Sequence, residues 1–87
     1  MTQLPDMPRL NHRFRMQWEE AQQSHVLLYP EGMIRLNQSA GEILKRCDGA
    51  TTVDDIVAQL EQQFNASGLR SDVLDLLAHA VDKDWIV

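Results

Sequence analysis

His25-Val-Leu-Leu-Tyr-Pro-Glu-Gly-Met-Ile-Arg-Leu36, followed at once by Asn37, decides the fold. Two short apolar runs, residues 25–29 and 33–36, flank Pro30-Glu31-Gly32. Proline presets φ there, and glycine tolerates a positive φ. So tight a connection makes the two runs an antiparallel hairpin. Beyond it the period changes. Asn37 is a good N-cap, and Ala40, Ile43, Leu44 and Cys47 recur at three and four residues, the mark of an amphipathic helix. Upstream, residues 12–18 alternate strictly, with Phe14, Met16 and Trp18 on one side and Arg13, Arg15 and Gln17 on the other. Period two is a half-buried strand. Glu19 to Gln23 is its polar connection to the hairpin.

Downstream, Asp48-Gly49 ends the first helix, with Gly49 suited to a left-handed cap. Thr51 is expected to start the second, with Asp54 completing a weak capping box and Val53, Ile56, Val57, Leu60 and Phe64 as its stripe. A third helix runs from about residue 70 to about residue 83; Ser67 and Ser71 are both candidate caps. Trp85-Ile86-Val87 is an apolar tail expected to pack back onto the body. The order is an α+β design, a three-stranded antiparallel sheet followed by a three-helix bundle, with a likeness to a winged helix-turn-helix. Residues 1–9, with Pro5 and Pro8, read as a flexible arm. Residues 10–87 then form one domain, and 87 residues suffice for one core.

Composition excludes several function classes. The net charge is −5, and residues 50–87 carry all of the excess, Arg70 and Lys83 against seven acids. That opposes binding to nucleic acid or anionic lipid. No stretch approaches the roughly 18 apolar residues of a membrane helix, and the N-terminus has no signal-peptide run, so a cytoplasmic protein is expected. Cys47 stands alone on an apolar stripe and reads as a buried hydrophobe, compatible with a reducing compartment. His12, His25 and His79 have no partners at metal-ligand spacing. No phosphate loop or iron–sulfur cluster pattern is present, so no metal, no cofactor and no catalysis are expected.

The third helix has surplus apolar surface. At about 100° per residue, Leu69, Val73, Leu76, Leu77 and Ala80 share a core-facing arc, and Leu74, Ala78 and Val81 make a second arc beside it. The combined sector is about 200° wide, twice what one-sided packing needs. Either the helix is wholly enclosed, or the second arc lines a groove. A groove beside an open sheet edge suits an extended peptide that joins as an extra strand. Strand 33–36 is such an edge and lacks proline, although edges are also commonly left solvated. A DNA-reading helix would offer Arg, Lys, Asn or Gln; this one offers Asp72, Asp75, Asp82 and Asp84.

The segment His25 to Met33, continued by Leu36-Asn37-Gln-Ser-Ala40 and Glu42-Ile-Leu-Lys-Arg-Cys-Asp-Gly49, closely resembles the PqqD family of pyrroloquinoline quinone (PQQ) biosynthesis. Gln17-Trp18-Glu19, Ile56-Val57 and Leu60 resemble it too. Asp84-Trp85-Ile86 resembles the family's usual Gly-Trp-Ile ending, with Asp84 in place of glycine. The resemblance implies a peptide chaperone with the recognition fold of enzymes that modify ribosomally made peptides. It implies binding of the precursor peptide, PqqA, and its presentation to the radical S-adenosylmethionine enzyme PqqE, which cross-links a glutamate and a tyrosine. It also implies that the peptide docks between the third strand and third helix. Those elements place the site at Met33, Ile34, Arg35 and Leu36, and at Val73, Leu74, Leu77, Ala78 and Val81. A winged-helix DNA regulator and a purely structural subunit of the radical enzyme are the alternatives. A monomer is expected; the edge strands also permit a domain-swapped dimer.

Overall fold

The computed structural model describes residues 3–87. Three strands, β1 (Arg15–Glu19), β2 (Ser24–Tyr29) and β3 (Gly32–Arg35), precede three helices, α1 (Gln38–Leu44), α2 (Val53–Gln63) and α3 (Arg70–Asp82). The sheet is antiparallel in the order β1-β2-β3. Met16, Leu27 and Ile34 lie opposite one another across it. Leu27 is fully buried, and the other two pack against the same core, so this row faces the helices. Burying a leucine of this kind contributes about 1.5–3 kcal/mol.

Two details depart from expectation. Gly32 is a strand residue outside the left-handed region. The turn is closed by Pro30 and Glu31 alone, since Tyr29 pairs with Gly32; a Cβ at Gly32 would meet the Tyr29 hydroxyl at 3.5 Å, an ordinary contact. Trp18 shares the pleat of Met16 but is 46% exposed. Its indole N–H donates to the Glu20 carboxylate at 2.8 Å, which holds the ring toward the polar turn.

α1 is the keystone: it packs on β2 and meets both α2 and α3. Its start is capped as expected, Ala40 N–H donating to Asn37 Oδ1 at 2.8 Å. A Cβ at Gly41 would come within 2.8 Å of His25 Nδ1, so the close seat of α1 on β2 needs glycine. After α1, Asp48 takes the N–H groups of Ala50 and Thr51 and the Thr51 hydroxyl. Thr51 is thereby spent. The expected start at Thr51 moves to Thr52, whose hydroxyl accepts from Asp55 N–H at 3.1 Å.

Neither Ser67 nor Ser71 caps α3. Its first residues follow Leu69, whose N–H donates to the Glu61 carboxylate of α2 at 3.0 Å. The cap is tertiary, invisible to local sequence reading.

Of the stretch read as an arm, Met1 and Thr2 lie outside the described residues. The remainder lies along the domain. Pro8 is buried, and its carbonyl accepts from Gly49 N–H at 3.0 Å. Arg9 exchanges two backbone hydrogen bonds with Val87, and Asn11 N–H donates to Trp85 O at 2.8 Å. The tail packs back as expected, with Trp85 and Ile86 in the core.

Candidate functional site

Among the described residues β3 has β2 on one side and no strand on the other. Leu36 N–H donates to His25 O at 2.9 Å, and the ladder alternates from there. Gly32, Ile34 and Leu36 therefore spend their peptide groups on β2. Met33 and Arg35 point theirs to the open edge. Side chains alternate as well. Ile34 and Leu36 turn toward the core, whereas Met33 and Arg35 turn to the outer face and are exposed. The four residues read from sequence as one ribbon thus divide into two pairs with different roles.

α3 divides likewise. Val73, Leu77 and Ala80 are buried in the core. Val81 is half-buried and packs against that core. Leu74 and Ala78 are half-buried without joining it. Of the nine residues read from sequence, Leu36, Val73 and Leu77 are sealed, at 4%, 2% and 0% exposure. Their side chains belong to the core, although Leu36 and Val73 also reach the lining of surface clefts. Met33, Ile34, Arg35, Leu74, Ala78 and Val81 remain accessible. α3 takes its helical packing from α1, while Ile34 from β3 and Val81 from α3 meet the same core from their own elements.

Arg35 and Leu36 border a shallow cleft with Gln22, Gln23 and Ser24, not with α3. An apolar cleft of about 250 Å³ instead lies between α1, α2 and the start of α3, lined in part by Ile43, Leu60, Phe64, Leu69 and Val73.

The titratable groups explain structure, not chemistry. Burial, with a smaller push from Asp48, raises the Cys47 thiol to about 12, too high for a nucleophile. Burial also raises Glu42, but hydrogen bonds from Arg46 and Lys45 outweigh it and hold the carboxyl below its usual range. Arg46 and Gln63 also pair directly, which ties α1 to α2. Asp48 is held low by the Ala50 N–H and the Thr51 hydroxyl. Among the described residues no group of three His, Cys, Asp or Glu is placed to hold a metal. No helix is long and apolar enough to cross a membrane.

Comparison with known proteins bears on the family and the fold. The family model for coenzyme PQQ synthesis protein D (PqqD) matches residues 24–86. The PqqA binding protein of Acinetobacter baylyi is 51% identical over 80 residues, 91% of this chain and 81% of that one. That of Methylococcus capsulatus is 48% identical over 87 residues, 99% of this chain and 94% of its relative. The solution NMR structure of the PqqD truncation of Methylobacterium extorquens PqqCD is described as a functional, stand-alone recognition element for ribosomally synthesized, post-translationally modified peptides. It matches with a TM-score of 0.81 at 32% identity, covering 100% of this chain and 95% of that one. The match is to a recognition element; nothing in it supports the winged-helix likeness.

Proposed function

Since the chain belongs to the PqqD family, we propose that it binds the PqqA precursor peptide by strand addition along β3 and presents it to the radical enzyme PqqE. Residues 10–87 act as one recognition domain, without catalysis of their own, as a monomer in the cytoplasm. One observation carries the docking mode: the outward peptide groups of Met33 and Arg35 lie on an unpaired edge, and the domain has surplus apolar surface at Leu74 and Ala78. Backbone pairing supplies affinity, and the apolar wall selects side chains at alternate positions. Arg70, paired at 2.8 Å with Asp54, is the basic residue on α3, against Asp72, Asp75 and Asp82, which argues against a DNA-reading role.

The test is an amide-resolved titration of the labelled protein with PqqA. Signals of residues 33–36 and 74–81 are expected to move together, and the exchange of the Met33 and Arg35 amides with solvent to slow. Movement confined to β1 or to the α1–α2 cleft defeats this docking mode. A complex with PqqE that forms equally well without peptide, in a protein that binds no PqqA, supports a purely structural subunit instead.

A further inference from the structure

A strand laid beside β3 must follow its pleat, so its residues alternate between the helix side and the outer face. The outer face of β3 is defined by two side chains. Met33 is 48% exposed and Arg35 is exposed. Between them Ile34 faces inward. We infer that the docking segment of the peptide carries a carboxylate on the outer face across from Arg35, and an apolar residue on the helix side across from Ile34. This rests on the strand-addition reading above and adds the chemistry of the peptide that β3 accepts.

Two observations carry it. Among the described residues Lys45, Arg46 and Arg70 have acidic partners, whereas Arg35, like Arg9, Arg13, Arg15 and Lys83, forms no ion pair; of these five, Arg35 is the one on β3. Its neighbour across β2 is Val26, fully buried and apolar, and one pleat further lie Ser24 and Leu28, so β2 offers it no acid. The direction left for a counter-charge is the open edge. The positive charge stands where a ligand strand would sit. An acid seated there gains a cross-strand partner, and a lysine seated there meets like charge. The alternative role of Arg35, a charge that merely discourages edge-to-edge pairing, makes no distinction between peptide charges.

The experiment titrates the full chain, wild type and Arg35→Glu, with PqqA and with variants in which each Asp or Glu is replaced in turn by Lys. An exposed cross-strand pair changes affinity by about twofold to fivefold, and reversal of one partner by up to about tenfold. At one peptide position, Lys is expected to weaken binding to the wild type by up to about tenfold and to restore it to Arg35→Glu. Equal binding of wild type and Arg35→Glu to every peptide overturns the assignment, as does uniform weakening without rescue. Amide shifts at residues 33–36 with unmodified PqqA separate the two readings. Shifts present without charge rescue remove only the role of Arg35. Shifts absent remove the docking mode with it. A melt of Arg35→Glu within a degree or two of wild type confirms that the exposed substitution leaves the fold intact.

Discussion

Leu74 and Leu77 are leucines three residues apart on one helix, and aspartate at each separates a wall from a core. Leu77 is fully buried. A carboxylate there has no partner in the core and costs about 5 kcal/mol, comparable with the whole stability of a domain of this size. Leu77→Asp is expected to be unfolded at room temperature. Leu74 is half-buried and outside the core cluster, so Leu74→Asp forfeits about half of a leucine's transfer energy, roughly 1 kcal/mol. A loss of that size lowers the melting midpoint of a small domain by about 4–8 °C. In the proposed docking mode the peptide covers the remaining half of that surface, and a carboxylate left against an apolar side chain must also be desolvated. Together these amount to about 2 kcal/mol, roughly 30-fold in Kd. Circular dichroism melts and calorimetric titration with PqqA measure both quantities. The reasoning fails if Leu74→Asp unfolds like Leu77→Asp, or if it melts as expected and binds peptide as tightly as wild type.

Three further outcomes are expected. Asp84 has φ of 61°, in the left-handed region where glycine is unstrained; Asp84→Gly should stabilise the domain by about 1 kcal/mol, and a lower melting point contradicts this. Glu61→Ala removes the acceptor for Leu69 N–H and should cost about 1 kcal/mol, as loss of a helix cap does; faster hydrogen exchange at the start of α3, with α2 unchanged, is its signature. Asp48 and Glu42 both have lowered pKa values, so the stability they contribute is complete above the ordinary carboxylate range and lost as pH falls below it. The midpoint for urea unfolding should fall more steeply on acidification in wild type than in Asp48→Asn.

What was legible in the sequence is what short-range physics controls. Period two in residues 12–18, the turn at Pro30-Glu31-Gly32, Asn37 as a cap and the change to a helical period give the elements and their order, but not their bounds: β1 is Arg15–Glu19, with His12 and Arg13 in a turn, and Gly32 belongs to β3. The second arc of α3 is also readable, because a helix with more apolar surface than its core contact needs must expose the excess. Contacts between elements are what escaped. Thr51 and Thr52 are equivalent candidates until Asp48 binds Thr51. Glu61 caps a helix eight residues away from it in the chain. The proline-containing N-terminal stretch looks loose, but its free carbonyls and amides find Gly49, Val53 and Val87. At the candidate site, sequence names the strand, and only the ladder parity fixed by Leu36 and His25 tells the inward pair from the outward one.

The backbone exchange between Arg9 and Val87 brings the two extremities of the fold side by side. A host protein could splice this unit into an exposed loop with little extra linker, because entry and exit points are already adjacent. β3 takes no part in that seam. A splice at that seam thus leaves the open edge of β3 unencumbered.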